Sequence, residues 1–142
     1  MIVPNLKISR EDILEIKQKD VAKLMGVSPS TVSGWENGID TIPLKRLVEY
    51  ANEYNLSLDY LFGIKDIPKS NLHIKIDNLV ISKNLRKLRK ANGMTQLELS
   101  KKTYIDRTSY SKYETGKNLI TTTALCSLIK AYPTFSIEEL FL

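Results

Sequence analysis

This 142-residue sequence contains two sets of hydrogen-bonding side chains that are its candidate functional residues. One set lies between Gln18 and Ser33, and the other lies between Gln96 and Lys117. Their amide, hydroxyl, guanidinium and ammonium groups donate hydrogen bonds, so both sets suit the binding of a polar or anionic partner. Nothing in the sequence pairs a nucleophile with a base, groups carboxylates in a recognisable motif or builds a phosphate loop. We therefore predict no catalytic residue and no enzyme.

The two sets belong to an internal repeat. A shift of 78 residues places Gln18 to Tyr54 on Gln96 to Tyr132. The identical pairs are Gln18/Gln96, Lys23/Lys101, Ser33/Ser111, Glu36/Glu114, Gly38/Gly116, Ile42/Ile120, Leu47/Leu125 and Tyr54/Tyr132. A unit of roughly 60 residues is too long for one solenoid turn, so the repeat predicts two small domains, called copy 1 and copy 2 here.

We place the domain boundaries at residues 1–66 for copy 1 and 80–142 for copy 2, with 67–79 as a linker. Pro68, Lys69, Ser70 and Asn71 have the composition of a linker. The alternation of apolar and polar residues over 72–77 is compatible with a short strand there.

Charge is divided unequally between the copies. Residues 1–70 carry nine Lys/Arg against ten Asp/Glu, a net charge of −1, and residues 71–142 carry twelve against six, a net charge of +6. A basic half joined to a neutral half favours a polyanionic partner for the basic half, although basicity alone is weak support.

Other ligands and compartments are not indicated. Cys126 is the only cysteine and lies in an apolar stretch, which favours core packing over redox chemistry. His73 is the only histidine and has no ligand-type cluster beside it, so we predict no metal, no cofactor and no small-molecule ligand. No run approaches the ~18 apolar residues of a membrane span, so we predict a cytoplasmic protein with no membrane partner.

Each copy is predicted to contain five short helices, an all-α fold. In copy 1, Ser28 followed by Pro29 marks the start of a third helix, which Gly38 ends. In copy 2, Thr95 caps the second helix with Glu98 three residues later, and Asp106 caps the third. We expect the first helices to cover residues 11–17 and 82–91.

In each copy, a helix that begins with glutamine is followed by a three-residue turn and by a helix with small polar residues on its outer face. This arrangement can place the second of these helices in a DNA major groove. The sequences QKDVAKLMGVSPSTVSGWENG (18–38), TQLELS (95–100), SKYETG (111–116) and LDYLFG (58–63) resemble the lambda-repressor/Cro-like (XRE) helix-turn-helix family. The resemblance covers nearly the whole chain. It implies two tandem five-helix lambda-repressor-like DNA-binding domains joined by a linker.

The resemblance also implies roles for single positions. Gln18 and Gln96 match the glutamine that meets the DNA backbone from the start of the second helix. The base-reading positions of the third helix match Pro29, Ser30 and Gly34 in copy 1, and Arg107, Thr108 and Lys112 in copy 2. Arg107 can bind guanine O6 and N7, and Lys112 can reach the same acceptors or a phosphate. Pro29 and Gly34 offer no side-chain donor.

Two further correspondences concern phosphate contact and internal packing. The lysine that follows the third helix and grips phosphate matches Lys117, where copy 1 has Ile39. The internal ion pair of the family matches Arg89 with Glu114. Copy 1 has Glu11 at the position of that arginine, with Arg10 as a candidate substitute. The predicted DNA contacts are Gln96, Lys101, Arg107, Thr108, Ser109, Ser111, Lys112 and Lys117 in copy 2, and Gln18, Ser28, Ser30, Thr31 and Ser33 in copy 1.

One position departs from the family pattern in copy 2. The glycine of the turn, present as Gly26 in copy 1, is replaced by Tyr104. A left-handed tyrosine costs roughly 1–2 kcal/mol, so either Tyr104 is strained or the turn has another geometry.

These residues predict a sequence-specific regulator of transcription that binds double-stranded DNA, and copy 2 has the better reading surface. The repressors of phages and mobile elements are the context that the resemblance implies. The alternative is that copy 1 is a protein-interaction module, either a homodimer interface or an antitoxin-like partner site. In that case only copy 2 binds DNA.

Overall fold

Helices account for the regular secondary structure of residues 3–142, which are the residues that this computed structural model describes. The chain divides into two units, the first ending at Ile74 and the second being Lys75–Leu142. Unit 1 contains α1 (Leu6–Ile8, continued by a π-helical segment, Ser9–Leu14), α2 (Gln18–Met25), α3 (Pro29–Asn37), α4 (Leu44–Glu53) and α5 (Leu58–Leu61). Unit 2 contains α6 (Asn78–Ala91), α7 (Gln96–Thr103), α8 (Arg107–Glu114), α9 (Thr122–Ala131) and a 3₁₀ helix (Glu138–Phe141). The predicted all-α fold with two tandem domains is confirmed.

Side-chain caps define the helices that carry the polar sets. In unit 1, Ser28 Oγ accepts a hydrogen bond from the backbone N–H of Thr31 at 3.2 Å, and α3 ends at Gly38 with a φ of 76°. In unit 2, Thr95 and Glu98 bond reciprocally at the start of α7, and Asp106 accepts from Ser109 N–H at 3.1 Å. Each bond satisfies an amide that has no partner inside its helix.

The first helix of each copy begins earlier than predicted. We expected a start at Glu11, but α1 begins at Leu6, where Asn5 Nδ2 donates to Tyr60 O at 2.7 Å. We expected Ser82 to open the first helix of copy 2, but α6 begins four residues before it. Asp77 is the cap, since its carboxylate accepts from the amides of residues 79 and 80. Ser82 is buried inside the helix, and its hydroxyl donates to the carbonyl of residue 79 at 2.8 Å.

Much of the predicted linker is part of unit 1. Leu56 and Lys69 form an isolated antiparallel bridge, and the amide of Asn52 both donates to and accepts from the backbone of Ile74, at 2.8 and 2.9 Å. Ile74 is buried, so it anchors the end of this segment on the unit. Residues 72–77 form no strand. Only residues 75–77 stand between Ile74 and the start of α6.

Each unit has its own apolar core, and the aromatic residues expected to be internal are buried there. Trp35 on α3 and Tyr113 on α8 are both buried, as predicted, and so is Cys126 on α9. Trp35 and Tyr113 therefore define the inner faces of α3 and α8. The outer faces of the two helices are therefore left to the polar residues.

Candidate nucleic-acid interface

The turn between the second and third helices has a residue in the left-handed conformation at the same position in both units. In unit 1 this residue is Gly26, with φ 65° and ψ 35°, and in unit 2 it is Tyr104, with φ 60° and ψ 15°. Tyrosine therefore adopts the conformation of the glycine that it replaces. Tyr104 is 94% exposed, so packing offsets little of the roughly 1–2 kcal/mol cost of that conformation.

The outer face of α8 forms one side of a shallow groove with a volume of about 570 Å³. Arg107, Ser111 and the C-cap residue Thr115 are spaced by four residues, which places them along one side of this helix. The groove also takes in the first residue of α7 and the loop after α8. Its lining residues are Gln96, Arg107, Thr108, Ser111, Lys112, Thr115 and Lys117. Three of the seven are cationic and none is a carboxylate, so the groove suits a polyanion.

Two predicted contact residues of copy 2 lie outside this lining. Lys101 is exposed, but at 3.6 residues per turn it lies about 140° around α7 from Gln96. Ser109 is half-buried, and both its amide and its hydroxyl lie against the Asp106 carboxylate, at 3.1 and 3.4 Å. Thr115 was not predicted, although its spacing of four residues from Ser111 could have indicated it.

The matching face of unit 1 has hydroxyl groups that bond to one another. Ser28 Oγ lies 3.0 Å from Ser30 Oγ and 2.9 Å from Thr31 Oγ1. Ser33 Oγ accepts a hydrogen bond from Asn37 Nδ2 at 3.1 Å. Helix α3 contains no lysine or arginine. This face therefore has less free hydrogen-bonding capacity and less positive charge than the groove of unit 2.

Gly34 occupies the position in α3 that Lys112 occupies in α8. A Cβ atom at Gly34 would lie 3.9 Å from Asp40 Oδ2 and 4.0 Å from Ile39 Cβ, which are ordinary contact distances. Packing therefore does not require glycine here. Ile39, at the position of Lys117, is 80% exposed. Unit 1 thus lacks both of the cations that these two positions supply in unit 2.

An ion pair joins the first and third helices of unit 2. Arg89 donates through Nε to Glu114 Oε1 at 2.6 Å and through Nη2 to Oε2 at 3.1 Å. Gln96 Nε2 donates to the same carboxylate at 2.8 Å, which orients its amide at the edge of the groove. Burial alone would raise the pKa of Glu114, but the hydrogen bonds from Arg89 and Gln96 outweigh it, and the pKa is lowered.

Unit 1 contains the same arrangement with Arg10 as the arginine. Arg10 donates to both carboxylate oxygens of Glu36, at 2.6 and 3.0 Å, and Gln18 Nε2 donates to Glu36 at 3.0 Å. The hydrogen bond to Glu36 raises the pKa of Arg10. Glu11, which the repeat register places at the arginine position, is exposed.

The helix-turn-helix family model matches the chain twice, over residues 6–61 and 85–140. The chain belongs to the helix-turn-helix family. The helix-turn-helix is of the XRE, or lambda-repressor-like, type, and the two matches agree with two tandem copies. The family is one of DNA-binding regulators, so the partner is double-stranded DNA. Comparisons with curated proteins and with solved structures found no significant match.

Candidate metal clusters and membrane-spanning helices are absent from the described residues. Over residues 3–142, no three histidine, cysteine, aspartate or glutamate side chains come together where they could hold a metal ion. Over the same range, no helix is both long and apolar enough to cross a membrane.

Proposed function

We propose that this protein is a repressor of transcription, of the kind found in phages and mobile elements, that acts in the cytoplasm and reads a specific DNA sequence mainly through unit 2. The observation that carries the proposal is the groove on α8. It collects Arg107, Lys112 and Lys117 beside the hydroxyl groups of the same helix. Unit 1 has no cation at any of these three positions.

Six of the seven side chains that line the groove have a chemical role in this proposal. Arg107 is the first residue of α8, and its guanidinium donates to O6 and N7 of a guanine in the major groove. Thr108 and Ser111 contact base edges or phosphates from the same face. Lys112 reaches a base or a phosphate, and Lys117 holds a phosphate from the loop after α8. Gln96 donates to a further phosphate from the start of α7, where the helix dipole also favours an anion.

Unit 1 acts as a weaker reader of an adjacent site through hydroxyl groups and the Gln18 amide. Because both units belong to one chain, binding by unit 2 raises the effective concentration of unit 1 at its own site. A weak second contact then adds to affinity without further strong base contacts. The DNA site is therefore asymmetric. Binding weakens steeply with salt, since phosphate contacts contribute much of the free energy of binding.

Selection of bound duplexes from random DNA by the purified chain, at about 0.15 M salt, tests this proposal. The expected result is an asymmetric motif with one strong half-site that contains a guanine. Loss of the preference for that guanine in Arg107→Ala would assign the base contact. Failure to enrich any sequence would contradict sequence-specific regulation.

A second candidate is that unit 1 binds protein instead of DNA, either as a homodimer interface or as an antitoxin-like module. Two observations favour it: the Ser28, Ser30 and Thr31 hydroxyls pair with one another, and Ile39, which follows α3, is exposed. The triple variant Ser30→Ala, Thr31→Ala, Ser33→Ala separates the two candidates. Unchanged DNA affinity favours the protein-binding module, and a loss of tenfold or more favours two DNA readers. A palindromic selected site would also favour dimerisation through unit 1.

A further inference from the structure

The first turn of α6 contacts the loop that carries Lys117. Asn78 Nδ2 donates a hydrogen bond to the backbone carbonyl of Gly116 at 2.8 Å. A Cβ atom on Gly116 would lie 3.5 Å from Leu79 Cδ2 and 3.5 Å from Ser82 Oγ. The loop after α8 therefore sits in a notch formed by this turn.

The contact fixes the peptide group that immediately precedes Lys117. The carbonyl of Gly116 and the amide of Lys117 belong to one planar peptide group. The carbonyl accepts from Asn78, and the Lys117 amide donates to the carbonyl of Lys112 at 3.0 Å. Because both the carbonyl and the N–H of this peptide group are hydrogen-bonded, the backbone at Lys117 is held in place. The position from which the Lys117 side chain extends into the groove is therefore fixed.

The side chain of Asn78 makes this contact although its other polar atom lacks a protein partner. Asn78 Oδ1 is buried and accepts no hydrogen bond from the described residues. An unsatisfied buried acceptor is unfavourable, so it offsets part of the stability that the hydrogen bond to Gly116 contributes. The donor function of the amide explains why asparagine is accommodated here.

We propose that Asn78 is a positioning residue for the DNA contact of Lys117, and that the first turn of α6 is thereby part of the DNA-binding apparatus of unit 2. This inference rests on the proposed role of unit 2 as the main DNA reader. Asn78 does not touch DNA in this account. It acts by holding the Gly116–Lys117 peptide, so that less conformational entropy is lost when Lys117 closes on a phosphate.

The test uses the full chain and the duplex that the unmodified chain selects. Asn78→Ala is expected to weaken binding about three- to tenfold, in line with the loss of one hydrogen bond. It is also expected to lower the slope of log affinity against log salt by up to about one phosphate contact. In a Lys117→Ala background, Asn78→Ala should cause no further loss, because the residue acts through Lys117.

The matched control is Asn84→Ala. Asn84 lies on the same helix and its amide also donates to a backbone carbonyl, that of Leu140 at 3.0 Å, outside the groove. This variant is expected to lower thermal stability to a similar degree and to leave the affinity and salt slope unchanged. A readout without DNA is hydrogen exchange of the Lys117 amide, which should become faster in Asn78→Ala and stay unchanged in Asn84→Ala.

Three results would overturn the proposal. The first is an unchanged DNA affinity in Asn78→Ala. The second is that Asn78→Ala lowers the DNA affinity equally with Lys117 present and in the Lys117→Ala background. The third is that Asn84→Ala lowers the DNA affinity as much as Asn78→Ala does. Because the unmodified chain must first bind its selected duplex, these results are distinct from a failure of the proposed function. Absence of specific binding by the unmodified chain would instead overturn both.

Discussion

Arg10 Nε lies 2.6 Å from Glu36 Oε2, although the repeat register places Glu11 where the arginine should be. Eight positions separate Arg10 from Gln18, and seven separate Arg89 from Gln96. The extra residue is accommodated by the π-helical segment Ser9–Leu14, whose wider turn joins Glu15 N–H to the carbonyl of Arg10, five residues earlier. Unit 1 thus contains the same ion pair as unit 2 and departs from regular α-helix instead.

Breaking this pair from one side should destabilise unit 1. The Glu36 side chain is 2% exposed, so Arg10→Met leaves a buried carboxylate without its cation and should lower the free energy of unfolding by about 3–5 kcal/mol. The double variant Arg10→Met, Glu36→Leu removes both charges and should recover most of that loss. Urea unfolding followed at Trp35, in unit 1, measures both. A loss below about 1 kcal/mol in the single variant would contradict the structural role.

The ion pair of unit 2 makes stability depend on pH in a defined direction. The folded-state pKa of Glu114 is lowered from its ordinary value of 4.5, so its carboxylate stabilises the folded state above that pH. The contribution is lost as the pH falls through the folded-state pKa. The difference in unfolding free energy between the unmodified chain and Glu114→Gln should therefore shrink as the pH falls below 4.5 and through the folded-state pKa. A difference that stays constant over this range would exclude the lowered pKa.

Replacing the left-handed tyrosine of the turn by glycine should stabilise unit 2. Tyr104→Gly removes the strain at a φ of 60° and should raise the free energy of unfolding by about 1 kcal/mol, with no loss of DNA affinity. Gly26→Ala introduces the same strain in unit 1 and should lower stability by a similar amount. Thermal unfolding of both variants is the measurement. A destabilised Tyr104→Gly would show that the tyrosine ring makes a favourable contact.

Gly34 should accept the lysine that unit 2 has at the equivalent position. Because a Cβ atom there meets its nearest neighbours at 3.9 and 4.0 Å, Gly34→Lys should fold. It should increase affinity for the selected duplex about threefold or more through a phosphate contact, and steepen the salt dependence. The control is Gly34→Ala, which should add up to about 1 kcal/mol of helix stability without a gain in DNA affinity. An equal gain in affinity from both variants would point to stability as the cause.

Local sequence signals predicted the helices that carry the two sets of polar side chains. Ser28 with Pro29, Thr95 with Glu98, and Asp106 act through atoms within three residues of the helix start, so a sequence is sufficient to identify them. Six of the eight polar residues that the family resemblance implied as DNA contacts in copy 2 line one groove. Four of the six lie on α8 at a spacing that keeps them on neighbouring faces of that helix.

The features that sequence reasoning missed depend on contacts between distant residues. The choice of Asp77 over Ser82 as a cap follows from the burial of Ser82 against Gly116. The docking of the linker depends on Asn52 bonding to Ile74, 22 residues away. The π-helical segment accompanies the ion pair between Arg10 and Glu36, which are 26 residues apart in the sequence. None of these contacts has a periodic or local signature.

The central claim is that the two units contribute unequally and that the groove on α8 is the main reader. It is tested most directly by the affinity of the selected duplex for two variants of the full chain, measured at about 0.15 M salt. One variant is Arg107→Ala, Lys112→Ala, and the other is Ser30→Ala, Thr31→Ala, Ser33→Ala. The first should lose roughly 100-fold or more, since each good base contact contributes about 1–3 kcal/mol, and the second should lose much less. Equal losses, or a larger loss from the unit 1 variant, would contradict the claim.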